Sequence, residues 1–383
     1  MTINQKLREM VSKLGIMNLA KEYGRKKQIS KLTGKFLNYK QGQLIELPEE
    51  IVFEITGRCN LRCKMCYINF NQNKKDDVSK EDFIKIINKM PFLKKITLIG
   101  GEAFIRKDIF DILDYLEDKR IKFAISTNAT MIMEKEVLKL KTYKNLLQIN
   151  VSVDGNREIH DSIRGKGNFE KSLNAIRLLK KNNIFVGVTS VIMKENINDL
   201  KSIVKVLKDA GVDCMDFSYE RTYTKEAIEQ TSQMVQIDNT QENFPIAFSD
   251  SSSRGFSFEE LGKAIDDVNQ YARSINMPLS YQTFNLDKRL DEFYFWKLNG
   301  EYFCKHLFIA RIDCQGNLIF CLYIKKPLGS LLEKSFEELW WGNEINKVRA
   351  RIIRFGSKNL PVCKDCCKLI CVEKSRTGKG RLV

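Results

Sequence analysis

Histidine is almost missing from this chain, with 2 in 383 residues. Little room is left for His-based zinc sites or for general-base chemistry. No uninterrupted apolar run approaches the roughly 18 to 20 residues that a membrane span needs. Met1 to Gly15 also lacks the apolar block of a signal peptide, so a soluble, cytoplasmic protein is expected. Fibrous repeats and long disordered tracts are absent as well. With 43% hydrophobic and 29% charged residues the composition is globular, enough for one large core and a smaller satellite. An acidic excess is missing too, since 64 Lys and Arg stand against 48 Asp and Glu, a net +16. Nucleic acid, an anionic membrane surface or a phosphorylated substrate would each suit that charge. The charge is spread through Lys-rich segments, however, with local excesses only at Arg25 to Lys27 and Lys374 to Arg381. No aromatic-interleaved basic motif occurs, so the plainer reading is a solvated surface, and nucleic acid is not an expected partner.

What the chain does have is cysteine, 11 in all. In a non-secreted protein these are not a disulfide framework, because reducing compartments keep thiols free for metals or chemistry. Cys59, Cys63 and Cys66 form one group, Cys304, Cys314 and Cys321 a second, and Cys363, Cys366, Cys367 and Cys371 a third, while Cys214 stands alone. Any metal chemistry here is thiolate chemistry.

Between Glu50 and Tyr219, apolar β-branched runs alternate with amphipathic segments, the pattern of βα units on a parallel sheet. Strands are expected at Ile51 to Thr56, Lys95 to Gly100, Ile121 to Thr127, Leu147 to Val153, Ile184 to Met193 and Met215 to Tyr219. Helices are expected at Lys80 to Lys89, Ile109 to Glu117, Asn168 to Lys181 and Ile197 to Ala210, the last closed by Gly211. Such a run predicts an α/β fold, a partial (β/α)6 barrel over 49–225. Residues 1–48 read as a basic helical segment, short for a separate peptide-binding domain, which docks on its own domain or touches a membrane surface peripherally. Residues 226–300 read as a polar linker that drapes over the barrel mouth, with a helix at Phe258 to Ile275. Residues 301–383 read as a small cysteine-rich α+β module.

Directly after the first strand, Cys59-Asn-Leu-Arg-Cys63-Lys-Met-Cys66-Tyr67 gives Cys-x3-Cys-x2-Cys on one loop. Three thiolates on a short loop can hold three irons of a [4Fe-4S] cluster and leave the fourth open to a ligand. Zinc would want a fourth Cys or His in the loop, and buried core thiols are the bland alternative. At these residues the chain resembles the radical S-adenosylmethionine (radical SAM) superfamily, although Met65 stands where that family often has an aromatic. Leu98-Ile99-Gly100-Gly101-Glu102 ends the second strand and matches the family's Gly-Gly-Glu. Two glycines permit close backbone approach, and a carboxylate can meet an ammonium. Ser126-Thr127-Asn128-Ala129-Thr130 ends the third strand, with Ala129 where relatives have Gly. Val151-Ser152-Val153-Asp154-Gly155 ends the fourth, and Arg164 follows. The resemblance implies that Tyr67, Gly100, Gly101, Glu102, Asn128, Ser152 and Arg164 surround S-adenosylmethionine, with Arg164 pairing its carboxylate while Asp154 caps a turn. It implies one-electron cleavage of that cofactor to a 5′-deoxyadenosyl radical that abstracts hydrogen, fed by an electron donor such as a flavodoxin or ferredoxin.

The C-terminal cysteines resemble the SPASM and twitch extensions of radical SAM enzymes. Gly316-Asn-Leu-Ile-Phe-Cys321 looks like their hairpin, and Cys363-x2-Cys366 like their distal pair. The shorter twitch pattern fits better and implies one auxiliary [4Fe-4S] cluster on Cys304, Cys321, Cys363 and Cys366, or two clusters if Cys314, Cys367 and Cys371 take part. Four thiolates would make it an electron relay. Zinc on the same thiolates is the alternative.

Glu220 and Arg221, after the sixth strand, join the cysteine loop as catalytic candidates, a base and an anion grip, with Tyr219 and Tyr323 expected to face the same cavity. An internal ion pair is the equally plain reading. Leu322 stands where alcohol-oxidising relatives carry an Asp. Cys214 lies at the wrong end of its strand and reads as a core thiol, leaving Cys314 as a second hydrogen-donor candidate. Three functions follow. A dehydrogenase or epimerase of a small polar metabolite, such as a sugar, aminocyclitol or nucleotide sugar, comes first. A maturase of a ribosomally made peptide and a non-catalytic iron-sulfur carrier are the alternatives.

Overall fold

A computed structural model describes residues 16–66, 77–221, 223–237, 255–281, 300–364, 366, 369–373 and 381–382. Six parallel strands, β1 (Glu50–Thr56), β2 (Lys95–Gly100), β3 (Lys122–Thr127), β4 (Leu146–Ser152), β5 (Val186–Ile192) and β6 (Cys214–Tyr219), pair in chain order. Each expected strand is found within two residues of its expected bounds, which the α/β reading required.

The strands build a two-sided wall. In β1 the residues Ile51, Phe53 and Ile55 alternate with Val52, Glu54 and Thr56, and Phe53 packs at 5.1 Å on Phe83 of helix α2 (Lys80–Asn88), so the first row faces the helices. In-register pairing carries the other row round the inside: Val52 with Thr97, Thr97 with Ala124, Ala124 with Gln148, Ser126 with Asn150, Ser152 with Thr189, Thr189 with Asp216. The outer row is apolar and buried, whereas Thr97, Ser126, Gln148, Asn150, Ser152, Thr189 and Asp216 are half-buried polar residues. The inside is therefore a polar lumen with access to solvent, and among the described residues the sheet does not close on itself. Cys214 lies on this inner row at the start of β6, buried beside Gly187.

Helices α3 (Ile109–Asp118), α4 (Glu134–Leu140), α5 (Arg157–Arg164), α6 (Asn168–Lys181) and α7 (Leu200–Asp209) cover the outer face, and Gly211 closes α7 at φ +80°. The polar stretch expected to loop after Glu226 is instead partly helical, as α8 (Lys225–Val235), capped by Thr224 and held by Ile228 and Val235. Helix α9 (Phe258–Ser274) follows, started by a Ser257 and Glu260 capping box, and β7 (Leu279–Tyr281) pairs with β6.

Past residue 300 the sheet continues on its other edge. β9 (Ala310–Ile312) pairs parallel with β1, and β10 (Asn317–Ile319) and β11 (Pro327–Ser330) add antiparallel strands, while β8 (Gly300–Cys304), β12 (Leu369–Glu373) and β13 (Arg381–Leu382) form a separate small sheet. Helices α10 (Phe336–Trp340) and α11 (Asn343–Phe355) pack beside them. The basic N-terminal helix α1 (Ile16–Lys40) docks on this region: Phe36 stacks on Phe303 at 4.4 Å and Lys40 pairs with Glu301 at 2.8 Å. Among the described residues no helix is long and apolar enough to cross a membrane.

Candidate active site and a second cysteine pocket

The first cysteine loop leaves the C-terminal end of β1, where active sites of βα barrels sit. Its start is tied down by Asp77, which accepts from Thr56 Oγ1 at 2.6 Å, Gly57 N at 2.8 Å and Arg58 Nε at 2.9 Å. From the other side the end of β2 presses on it. Gly101 N donates to Thr56 O and Glu102 N to Arg58 O, each at 2.8 Å. A Cβ on Gly100 would stand 2.3 Å from Thr56 O, and one on Gly101 2.0 Å from Arg58 O. The glycines are thus required by the chain's own loop.

Glu102 completes that clamp. Its carboxylate, 1% exposed, accepts from Thr127 Oγ1 at 2.7 Å, Asn128 N at 2.7 Å and Phe104 N at 3.1 Å. Burial pushes the carboxyl above its ordinary range, against the three donors that favour its charge. Held by these three protein donors, the carboxylate fixes the segments around it. It joins the cysteine loop to the end of β3.

The thiols themselves are partly exposed. Leu61 N donates to Cys59 Sγ at 3.3 Å, and Asn128 Nδ2 approaches it at 3.9 Å while bonding Asn60 Oδ1 at 2.9 Å. Arg164 Nη1 lies 3.7 Å from Cys63 Sγ, and Cys66 N bonds Cys63 O at 3.1 Å. Burial raises the Cys59 and Cys63 thiols, and Arg164 works against that rise at Cys63. Arg164 is braced from behind: its Nε bonds the buried Asp154 at 2.5 Å, and Asp154 also accepts Val191 N at 2.8 Å. Despite the cost of burial, Asp154 holds the guanidinium charge above its usual range. Asp154 is therefore the partner of Arg164 as well as a brace between β4 and β5. Ser152 ends the inner row of β4, half-buried. Tyr67 lies outside the described residues.

The second pocket is built by distant segments. Cys304 at the end of β8, Cys321 just after β10, and Cys363 and Cys366 ahead of β12 line one cavity with Phe320, Tyr323, Ile324, Ile352, Val362 and Leu369. Burial, with Cys304 and Cys321 beside it, drives the Cys363 thiol well up, so any metal must displace protons from the site. Among the described residues no three His, Cys, Asp or Glu side chains close on a single ion. Four sulfurs ringing a wider, largely apolar cavity fit a cluster better than one zinc, whose Zn–S bonds of about 2.3 Å would draw them together. Cys314 does not line this pocket. β9 carries it instead to the first loop, where a Cβ on Gly57 would stand 3.3 Å from its sulfur, and burial lifts its thiol to about 12. Cys367 lies outside the described residues, and Cys371 is on β12 with its backbone opposite Tyr302.

The remaining candidates separate. Tyr219, expected in the cavity, is buried on the outer face against Phe258, because it falls on the apolar row of β6. Glu220 is half-buried at the rim near Glu195, which pairs with Lys64 of the cysteine loop; burial and Glu195 raise its carboxyl. Arg221 turns away from the lumen to Tyr323 and Cys366. Leu322 is buried. Asp77 lies in no cysteine or glycine motif and was not singled out by the sequence, and Thr127 was read only as part of the motif that ends the third strand.

The Radical SAM superfamily model matches residues 53–219, and that of an iron-sulfur cluster-binding domain, SPASM, matches 304–367, where the shorter twitch pattern had been the expectation. The chain is 33% identical over 177 residues to the antilisterial bacteriocin subtilosin biosynthesis protein AlbA of Bacillus subtilis, 45% of this chain and 40% of that one. It is 31% identical over 166 residues to the Fe-coproporphyrin III synthase of Methanosarcina barkeri, 42% of this chain and 41% of that one. These matches span less than half the length of either relative. Among solved structures, Streptococcus suis SuiB bound to precursor peptide SuiA superimposes with a TM-score of 0.63 over 84% of this chain and 70% of that one, at 16% identity, a likeness of fold. The two matched domains imply a [4Fe-4S] cluster, S-adenosylmethionine and auxiliary iron-sulfur ligation. With both matches falling on the cysteine sites just described, the chain carries a radical SAM domain and a C-terminal SPASM iron-sulfur domain.

Proposed function

We propose that Cys59, Cys63 and Cys66 hold the [4Fe-4S] cluster beside S-adenosylmethionine, that Cys304, Cys321, Cys363 and Cys366 hold an auxiliary cluster, and that the substrate is a peptide. When bound, the first cluster and S-adenosylmethionine supply one-electron radical chemistry that takes hydrogen from an unactivated C–H bond. The chain's own residues hold and shield that chemistry. Asp77, Gly101 and Glu102 fix the loop, Leu61 N and Arg164 favour anionic sulfur at Cys59 and Cys63, and the inner row of the barrel receives the substrate. An external donor of flavodoxin or ferredoxin type supplies the electron.

The observation that carries the peptide reading is how the cations near the barrel mouth are used. Arg164 is paired with Asp154, Lys325 with the buried Glu54 at 2.6 Å, and Arg221 with Tyr323 and Cys366. A nucleotide sugar or phosphorylated metabolite would need such cations for its anionic groups. The half-buried Thr97, Gln148, Asn150, Ser152 and Thr189 instead offer neutral donors and acceptors, which suit amide groups. AlbA is named for bacteriocin biosynthesis, which supports the same reading and sets it ahead of a small polar metabolite.

The test reconstitutes the chain anaerobically and supplies S-adenosylmethionine, dithionite and short Cys-rich or Gly-rich peptides encoded beside it. A peptide whose mass changes in step with 5′-deoxyadenosine formation is the expected result. Turnover with an iron porphyrin or a sugar but no peptide would overturn it, and failure to cleave S-adenosylmethionine at all would restore the iron-sulfur carrier.

A further inference from the structure

Arg221 lies two residues past the end of β6, at the barrel rim, and is 9% exposed. Its side chain enters the wall of the second pocket rather than the lumen. Nη1 lies 3.3 Å from Cys366 Sγ. Nη2 is hydrogen-bonded to the Tyr323 hydroxyl, and the guanidinium carbon sits 3.6 Å from the centre of the Tyr323 ring. Tyr323 is anchored in turn, since its backbone N–H donates to Cys321 Sγ at 3.4 Å. One guanidinium plane, laid on one aromatic ring, thus points an N–H at a sulfur of the pocket.

We infer that Arg221 is a positioning residue of the auxiliary site, which raises the reduction potential of a cluster held there by donating to the Cys366 thiolate and by placing a fixed positive charge against it. The inference rests on reading the pocket as an iron-sulfur site. Adding an electron to a thiolate-ligated cluster increases negative charge in a water-poor cavity. A donor and a cation at the sulfur favour that reduced state over the oxidised one. The stacking matters because a planar guanidinium held on a ring keeps its N–H directed, which a flexible ammonium does not. The contact also joins the end of β6 to a ligand of the second site. Arg221 therefore serves that site and not, as its place after the sixth strand suggested, an anionic group of the substrate.

The experiment uses the full-length chain with Cys59, Cys63 and Cys66 changed to Ala, so that only the second site holds iron. Iron content and a redox titration followed by electron paramagnetic resonance are recorded with and without Arg221→Gln. The expected result is full iron with the equilibrium constant for one-electron reduction lowered about tenfold, a fall of about 59 mV. Arg221→Lys should recover part of that fall, and Tyr323→Phe, which removes the hydroxyl that Nη2 meets, should produce a smaller one. Full iron with an unshifted potential in Arg221→Gln overturns the inference. If that variant fails to hold iron, the Lys and Phe variants decide, and parental potentials in both overturn it. Zinc in place of iron in the background chain removes the reading of the pocket and the inference with it.

Discussion

The two cysteine sites are opposites in construction. Cys59, Cys63 and Cys66 come from one short loop, stay partly exposed, and are held by backbone hydrogen bonds and an arginine. Of the second set, Cys304, Cys321 and Cys366 are buried and Cys363 is partly so, and they meet only because a strand, a hairpin and the stretch ahead of β12 fold together. Three ligands leave a cluster an open iron for chemistry, whereas four close it. The closed site must then be part of the fold, and the open one an attachment to it. Replacing Cys321 by Ala should remove the auxiliary iron and lower stability by on the order of 5 kcal/mol, since metal binding and folding are coupled there. Cys63→Ala should remove a similar amount of iron with little change in unfolding. Iron analysis with a urea melt of each variant separates the two, and equal losses of stability would break the contrast.

The open loop is not loose, because the end of β2 clamps it. Gly101→Ala puts a methyl 2.0 Å from the Arg58 carbonyl oxygen, which is backbone and has no side-chain freedom with which to yield. A cost of roughly 4 kcal/mol is expected, above the usual penalty for overpacking, together with weakened S-adenosylmethionine binding. Parental melting and affinity in this variant would mean that the loop moves freely.

This difference in construction also decides what could be read in the sequence. The strands were legible because the outer row is a run of β-branched and aromatic residues, as in Ile51, Phe53 and Ile55. The open site was legible because its ligands share one loop. Helix α8 was not, since its apolar positions are sparse and tertiary contacts at Ile228 and Val235 settle it. Cys314 sat in chain order between two pocket cysteines, yet the parallel pairing of β9 with β1 sends it to the other site. Glu102, Arg164 and Arg221 were found by type and place, but their directions depend on Thr127, Asp154 and Tyr323, which become neighbours only on folding.

A third contrast lies beneath the open loop. His160 is fully buried next to the Arg164–Asp154 pair, with Nδ1 accepting from Asp154 N at 3.3 Å, and burial first, then Arg164, lowers its pKa to about 4. In the unfolded chain it titrates near 6.5, so between these values the unfolded state binds more protons than the folded one. Stability should therefore fall by about 3 kcal/mol as pH drops from about 7.5 to about 4, and this term should be flat above about 7.5. Urea midpoints across that range, compared with His160→Gln, isolate the effect. Parallel curves for the two chains would show that His160 is charged in the fold.

The smallest effect belongs to one of the positions where the sequence departs from the radical SAM pattern. Ala129 stands in the left-handed region at φ +59°, held by its N–H on Thr127 Oγ1 at 2.8 Å. Glycine there would relieve about 1 to 2 kcal/mol of steric cost. It would also free the unfolded chain by about 0.4 to 1 kcal/mol and forfeit a buried methyl worth about 0.8 kcal/mol, since Ala129 is 1% exposed. These opposing effects nearly cancel, so Ala129→Gly should change stability by no more than about 0.5 kcal/mol. The contrast with Gly101 is the point: one site forbids a methyl because backbone fills the space, and the other accepts it because the strain is offset by packing. A loss above about 1.5 kcal/mol in Ala129→Gly would show that the methyl wedges the end of β3 against the clamp, and that the alanine is a working part of the open site.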